Sequence, residues 1–339
     1  SHSNSIHTLR VTSMRAYLCK AFGPIDTHGC SELPAPLPAD DEVIVDVAAA
    51  GVNYYDTLIV QGRYQIRPTF PFSPGGEFAG TVSSIGAAVD GFHPGLRVLA
   101  FNSYGGFAER ARARASQVFP LPDAVSFDQA AAALVAYATA WFALHDRGRL
   151  QAGETVLVLG AAGGVGLAAV QIAHAAGCTV IAAASTAEKL EVCRQSGASI
   201  GINYRVEDLK EAVKSATGGR GADVVIDVVG GPYTEAAVRA TAWRGRVLII
   251  GFAAGDIPRV PANLLLLKGC ELSGVFWDEF LRREPDACRA QVGAILAGIA
   301  DGRFNPPIHG RYAIEEAGLA LKALAERRAT GKLLICPQG

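Results

Sequence analysis

Thr155-Val-Leu-Val-Leu159 and the turn Gly160-Ala-Ala-Gly163-Gly164-Val-Gly166 that follows it decide the fold class of this chain. Five consecutive apolar residues predict a strand that is buried on both faces. The turn departs from the G-x-G-x-x-G pattern because Ala161 occupies the first glycine position. Bare backbone at Gly163 and Gly164 would still admit a pyrophosphate at the N-terminus of the next helix.

The same turn supplies the first candidate binding residues for a dinucleotide. Gly166 would let the helix that begins near Gly164 pack close to the strand. A tight strand–helix turn without any ligand is the alternative interpretation. The candidate cofactor-binding residues of the turn are Gly160, Ala161, Gly163, Gly164, Val165 and Gly166.

Strand-like and helix-like segments alternate after the turn. A helix is predicted over 165–176, and apolar segments predict further strands at 179–184, 200–204, 223–229 and 246–250. Continuous apolar strands that alternate with amphipathic helices indicate a parallel sheet covered on both faces. We therefore predict an α/β protein with a doubly wound parallel sheet.

The N-terminal third has a different rhythm. Residues 14–120 consist of short β-like segments separated by glycine and proline, which predicts an irregular, mostly antiparallel β domain. Ser126 is a plausible cap for an alanine-rich helix. The predicted units are a β-rich lobe of 14–136 plus 276–339, a doubly wound unit of 137–275, and a tag or disordered extension at 1–13.

Composition limits the classes of function. Lys and Arg number 31 and Asp and Glu number 32, so no overall charge favours nucleic acid or an anionic membrane. No apolar run approaches the roughly 20 residues of a membrane-spanning helix, and we expect no secretory signal. The seven cysteines form no C-x-x-C pair, which is typical of reduced thiols. We expect a cytoplasmic protein that acts on a small molecule.

The residues after the second strand bear on the choice between NADPH and NADH. An NAD site usually carries an acid there that bonds the ribose 2′-hydroxyl, whereas this chain reads Ala182-Ala-Ala-Ser185-Thr-Ala-Glu188-Lys189. Ser185 can donate a hydrogen bond to a 2′-phosphate, and Lys189 can supply positive charge. Glu188 would favour NADH if it turned inward, or it can stabilise the helix N-terminus through the helix dipole. We expect NADPH.

Four further stretches resemble the medium-chain dehydrogenases: Gly51-Val-Asn53-Tyr-Tyr-Asp56, Pro74-Gly-Gly-Glu77-Phe-Ala-Gly80, Tyr137-Ala-Thr139-Ala-Trp141 and Gly331-Lys-Leu-Leu. Zinc alcohol dehydrogenases carry Cys-His in the first stretch and Gly-His-Glu in the second. This chain has Asn53-Tyr54 and Gly75-Gly76-Glu77 there, and residues 100–115 contain no cysteine. Because zinc needs thiolate or imidazole ligands, we expect no metal. The chain most resembles the zinc-free quinone oxidoreductase (zeta-crystallin) branch.

That resemblance implies a GroES-like catalytic domain beside a Rossmann nucleotide-binding domain. It also implies roles by position: Asn53 and Thr139 would face the nicotinamide, Tyr64 would line the substrate cleft, Gly251 and Phe252 would pass beside the cofactor, and Ser185, Lys189, Tyr204 and Arg328 would surround the 2′-phosphate. Asn53 can instead hold a turn, and the tyrosines can be plain core or rim aromatics. Residues 258–280 do not closely resemble the quinone enzymes.

The expected chemistry is hydride delivery to a strong electrophile. Without a metal to stabilise an alkoxide, alcohol oxidation is disfavoured, and we expect NADPH-dependent reduction of quinones. Reduction of activated C=C bonds in enones, alkenals or acyl thioesters is an alternative, and a cofactor-binding structural protein of the crystallin type is a third. The resemblance and an apolar edge strand at 246–250 or 271–275 predict a homodimer.

Overall fold

The structure is a computed structural model that describes residues 12–339. The predicted tag or extension therefore lies almost entirely outside the described residues. Its predicted end at residue 13 is too late, because Ser13 opens the first strand and pairs with Pro34.

Residues 12–339 form two large sheets, one two-stranded sheet and the helices that cover them. In chain order the strands are β1 (Ser13–Leu18), β2 (Gly29–Pro34), β3 (Glu42–Val52), β4 (Glu77–Ile85), β5 (Arg97–Phe101), β6 (Arg110–Arg114), β7 (Val118–Pro120), β8 (Thr155–Leu159), β9 (Thr179–Ala184), β10 (Ile200–Asn203), β11 (Ala222–Asp227), β12 (Thr241–Ile249), β13 (Glu271–Gly274), β14 (Ile308–Ala313) and β15 (Lys332–Cys336). The helices are α1 (Tyr54–Ile59), α2 (Phe127–Trp141), α3 (Gly164–Ala175), α4 (Ala187–Gln195), α5 (Leu209–Ala216), α6 (Pro232–Arg239), α7 (Ala262–Lys268), α8 (Trp277–Arg283), α9 (Pro285–Ala300) and α10 (Ala317–Ala325).

The β-rich lobe is built on a seven-stranded sheet. Its strands run in the order β14-β15-β3-β4-β5-β7, and β6 pairs with β3. The pairings are antiparallel except that between β14 and β15. This confirms a mostly antiparallel GroES-like domain. It also shows the C-terminal tail returning to the first lobe, because β15 pairs with β3.

The second sheet has six parallel strands in the order β10-β9-β8-β11-β12-β13. Alternate residues of β8 enter different cores: Val156 and Val158 pack on one face, and Leu157 and Leu159 on the other. Burial on both faces explains the unbroken apolar run. The doubly wound α/β fold is confirmed. The strand order reverses between β8 and β11, and open α/β sheets bind ligands at such a point.

One edge of the parallel sheet is β13, whereas β12 is internal. The proposal that 246–250 forms an edge strand is therefore wrong, because β13 pairs with β12 on its outer side. Trp243, Leu266 and Leu267 are exposed near this edge. An apolar edge of this kind suits association with a second copy, and the homodimer stays a prediction.

Helix α2 joins the two lobes. The side chain of Ser126 accepts a hydrogen bond from Gln129 N at 3.1 Å, which confirms the predicted cap. A π-helical segment extends α2, and within the described residues this 21-residue helix, Phe127–Arg147, is long and apolar enough to span a membrane. Because 72% of its apolar window is buried inside the fold, the helix is accounted for as core. A cytoplasmic location stays a prediction, as does the domain boundary at 137, which falls within α2.

Candidate active site

Strand register brings three polar residues together at one end of the antiparallel sheet. Gly51 in β3 is paired with Glu77, the first residue of β4. Val52 is paired with Leu333 in β15, so Asn53 and Lys332 extend that pairing by one residue each. Residues distant in sequence thus meet where α1 begins.

Asn53, Glu77 and Lys332 form a buried hydrogen-bonded cluster. Lys332 Nζ donates to Asn53 Oδ1 at 2.7 Å and to Glu77 Oε1 at 2.5 Å. Asn53 Nδ2 donates to the same Glu77 oxygen at 2.9 Å, and Val135 N donates to Glu77 Oε2 at 2.7 Å. The side chains of Lys332 and Glu77 are 5% and 0% exposed, so the ion pair is desolvated.

This cluster fixes the Asn53 amide. Both polar ends of the side chain are bound by other side chains, and a capping box with Asp56 also ties Asn53 to the first turn of α1. Within the described residues, Glu77 takes one of the two N–H donors of the amide and the other has no partner. The methylene chain of Lys332 packs against Gly164, where an added Cβ would lie 3.0 Å from Lys332 Cδ. The cluster therefore links the predicted nicotinamide end to the first residue of α3.

Asp56 stabilises the start of α1. Its carboxylate accepts hydrogen bonds from Asn53 N at 2.8 Å and Gly75 N at 2.9 Å, and the residue is fully buried. Burial raises the pKa of Asp56 to about 7, although the two backbone donors and the charge of Lys332 act in the opposite direction. Asp56 has a structural role, as its position behind Asn53 indicates.

Two tyrosines and an acid lie beside the cluster. Tyr64 is half-buried, and its ring stacks on that of Tyr55 with centroids 5.4 Å apart. Burial raises the pKa of Tyr64, and the charges of Asp278 and Asp56 add to that rise. Thr139 is buried in α2, one turn after Ala136, which packs near Gly164. Asn53 thus lies close to the start of α3 through Lys332, Tyr64 lies against Tyr55 of α1, and Thr139 lies one turn from the α2 residue that approaches Gly164; their roles stay predictions.

Asp278, in the first turn of α8, is expected to make stability depend on pH. Burial raises its pKa from 3.8 to about 6. Between pH 4 and 6 the unfolded chain has already lost this proton and the folded protein still holds it, so the free energy of unfolding falls as pH rises through that window. The loss is at most about 3 kcal/mol.

Urea denaturation of Asp278→Asn at several pH values tests this. Relative to wild type, the variant should gain stability from pH 4 to pH 6 and show a constant difference above pH 7. Glu279→Gln is the matched control, because the pKa of Glu279 is lowered to about 2 by Arg282 and Arg283 and both states are ionised above pH 5. A pH-independent difference for Asp278→Asn would contradict the assignment.

The glycine-rich turn has the shape of a phosphate-binding loop. Ala161 N donates to Ala183 O at 3.1 Å, which ties the turn to β9 in spite of the missing first glycine. Gly163 is exposed and directly precedes α3, whose first N–H groups have no partner within the helix. Gly251 follows β12 closely, with its N–H bonded to Asp227 O, and the ring of Phe252 is partly exposed beside Gly230. These groups line the carboxyl edge of the parallel sheet.

The corner after β9 carries a cluster of positive charge. Lys189 Nζ donates to Ser185 Oγ at 3.4 Å and to Arg327 O at 3.3 Å. Burial lowers the pKa of Lys189, and the nearby charges of Arg205 and Arg327 lower it further. Like charges gathered in this way favour a polyanionic ligand.

Tyr204 and Arg328 were also predicted at this corner, and the structure places them differently. Tyr204 follows β10, donates its N–H to Ala184 O, and packs its ring against Tyr233. Arg328 instead turns outward and pairs with Glu326. Glu188, the residue that would favour NADH, is exposed on α4. Arg205 and Arg327 are the cations that the sequence interpretation missed.

Comparisons with known proteins identify the class. The chain matches the family described as alcohol dehydrogenase GroES-like domain at residues 39–123 and the family described as zinc-binding dehydrogenase at residues 164–290. Together these two domains define the medium-chain dehydrogenase class. Within residues 12–339, no group of three or more His, Cys, Asp or Glu residues is arranged to hold a metal ion.

Individual relatives show to which branch of this class the chain belongs. The chain is 36% identical to quinone oxidoreductase-like protein 2 of Rattus norvegicus, over 94% of this chain and 96% of the relative. A probable oxidoreductase from Mycobacterium abscessus is 37% identical with a TM-score of 0.87, over 96% and 100%. Escherichia coli quinone oxidoreductase complexed with NADPH is 29% identical with a TM-score of 0.90, over 95% and 100%. The chain belongs to the zinc-free quinone oxidoreductase branch of the medium-chain dehydrogenases.

Proposed function

We propose that the chain is an NADPH-dependent reductase of quinones that works without a metal. The observation that supports the cofactor is Lys189, whose ammonium contacts Ser185 Oγ and lies close enough to the charges of Arg205 and Arg327 for them to lower its pKa, because a ribose 2′-phosphate supplies the anion that such charges attract. The Escherichia coli relative is complexed with NADPH. Glu188 leaves the cluster unopposed because it faces solvent.

The part of the proposal that concerns the electrophilic substrate rests on a hydrogen-bond donor at the other end of the site. NADPH, when bound, supplies a hydride, so the chain needs to hold an electrophilic acceptor in place. Asn53 offers one free amide N–H that the Glu77–Lys332 pair holds rigidly. Such a neutral donor suits a carbonyl oxygen of a quinone. Enones, alkenals and acyl thioesters present the same oxygen and remain the alternative substrates.

An NADPH-oxidation screen tests the reaction. Purified protein is assayed with benzoquinones, naphthoquinones, enones, alkenals and acyl-CoA thioesters, with and without a strong chelator. We expect turnover with quinones that the chelator leaves unchanged. Faster reduction of alkenals would favour the alternative. NADPH binding without turnover on any acceptor would instead favour the structural protein of the crystallin type.

The cofactor half is tested by Lys189→Ala. Losing a charge-assisted hydrogen bond to phosphate typically removes about 1.5–3 kcal/mol of binding free energy, which corresponds to about 10- to 150-fold weaker NADPH binding. NADH lacks the phosphate and should bind almost as before. Fluorescence titration with both cofactors measures the two affinities.

The matched control is Lys210→Ala, since Lys210 pairs with Glu211 and is not among the charges that lower the pKa of Lys189. It should leave both affinities unchanged. Equal losses of NADPH and NADH binding in Lys189→Ala would refute the phosphate assignment.

A further inference from the structure

The hydroxyl of Tyr55 is an exception among the buried polar groups. Within residues 12–339, it is the one buried side-chain oxygen or nitrogen atom that has no hydrogen-bond partner. Folded proteins almost always pair such groups, because an unpaired buried donor is destabilising, and each exception calls for an explanation. Tyr55 is half-buried as a residue, whereas its hydroxyl oxygen is shielded from solvent next to position 76.

The position of the hydroxyl is set by Gly76. A Cβ added at Gly76 would lie 1.7 Å from Tyr55 Oη, so no other residue fits there while Tyr55 keeps this conformation. This is the position at which zinc alcohol dehydrogenases carry histidine. Tyr55 and Gly76 therefore act as a pair: the phenol occupies the space next to Asn53 and Glu77 that a side chain at position 76 would take.

The surroundings define what the hydroxyl can bind. Burial raises the pKa of Tyr55 well above 10, and the charges of Asp56, Asp278 and Glu77 add to the rise, so the group is a proton donor throughout the physiological range. A donor without a partner requires an acceptor atom on the ligand. A carboxylate or phosphate would lose far more hydration than a neutral group on entering this buried region, which leaves a neutral carbonyl oxygen as the fitting acceptor.

We propose that Tyr55 is a catalytic residue whose hydroxyl donates a hydrogen bond to the carbonyl oxygen of a neutral acceptor. The proposal rests on the proposed function. The acceptor takes up a hydride, that is, two electrons and one hydrogen nucleus, from NADPH, which leaves as NADP⁺. The π electrons of the acceptor move onto its carbonyl oxygen, Tyr55 stabilises the negative charge there, and a proton from solvent completes the product.

Tyr55→Phe tests this role, with Tyr137→Phe as the matched control. Tyr137 is also buried, but its hydroxyl donates to Gln171 Oε1 at 2.6 Å. Tyr55→Phe should lower kcat by about 100-fold with enones and about 10-fold with quinones, which are already strong oxidants. Its affinity for NADPH should not change, and its Tm should equal or exceed that of wild type. Tyr137→Phe should lower Tm, because Gln171 Oε1 loses the shorter of its two hydrogen bonds and keeps only that from Asn305 N.

Two results would overturn the role of Tyr55. One is an unchanged kcat in Tyr55→Phe with an active wild-type enzyme, which leaves the proposed function intact. The other is a Tm that falls as it does in Tyr137→Phe, since that would mean that the hydroxyl is satisfied within the folded protein. If wild type reduces no carbonyl acceptor at all, the proposed function fails, and the role of Tyr55 fails with it.

Discussion

Replacing Lys332 by methionine is expected to lower the free energy of unfolding by about 3–5 kcal/mol. The substitution keeps the volume of the side chain and removes its charge. Glu77, which is fully buried, would then hold an uncompensated negative charge with only Asn53 Nδ2 and Val135 N as donors. Chemical denaturation measures the loss. Turnover should fall as well, because the Asn53 amide loses the partner of its oxygen.

Two further variants sharpen this test. Lys332→Met combined with Glu77→Gln removes both charges and should recover at least half of the lost stability, because a neutral pair needs no ion for compensation. Lys322→Met breaks an ion pair with Asp26 that is exposed, and should have an effect under about 1 kcal/mol. Two results would contradict this prediction. One is a change of less than about 1 kcal/mol in the free energy of unfolding of Lys332→Met. The other is a double variant that is less stable than Lys332→Met alone.

Much of the fold was predictable because its signals are local. The run 155–159 indicates a strand buried on both faces, and the glycine-rich turn after it indicates a strand–helix unit. Both signals come from residues that are adjacent in sequence. The extra length of β12, which begins at Thr241, escaped the pattern because Trp243 and Arg244 are exposed and interrupt the apolar run that marks the end of the strand.

The cluster at the active site was only partly predictable. Asn53 lies in a stretch that resembles the family, but Lys332 is 279 residues away in sequence and reaches it through the register of β15 on β3. A buried acid such as Glu77 needs a cation. The sequence does not reveal which of its 31 lysines and arginines provides the cation, because that depends on long-range strand pairing.

The residues around Lys189 were also only partly predictable from the sequence. The sequence interpretation assigned Arg328, whereas in the structure Lys189 Nζ donates to the backbone carbonyl of its neighbour Arg327, and the Arg327 guanidinium donates to Ala253 O. Arg327 has a φ of 57°, a left-handed conformation that reverses the chain at this residue. The backbone conformation of this turn therefore decides which of the two arginines lies beside Lys189. The pairing of Tyr55 with Gly76 was equally hidden, because the two residues meet only after α1 has packed against the strand that follows.

Gly163→Val is expected to abolish most NADPH binding while leaving the fold intact. Gly163 has extended backbone angles, with φ of −79° and ψ of 174°, which valine adopts without strain. An added Cβ would meet only Gly160 O, at an ordinary 3.5 Å. In the complex, however, that side chain would occupy the space through which a pyrophosphate approaches the backbone. Losing two charge-assisted bonds to phosphate should weaken binding by more than about 100-fold.

Gly166→Ala is the contrasting variant from the same loop. Its Cβ would lie 2.3 Å from Gly160 O and 2.7 Å from Ala161 Cα, both backbone atoms, so the free protein itself would have to rearrange. We expect a lower Tm for Gly166→Ala and an unchanged Tm for Gly163→Val, measured by thermal denaturation without cofactor. If Gly163→Val bound NADPH as tightly as wild type, the turn would be a strand–helix connection that holds no phosphate, and the cofactor would have to lie elsewhere.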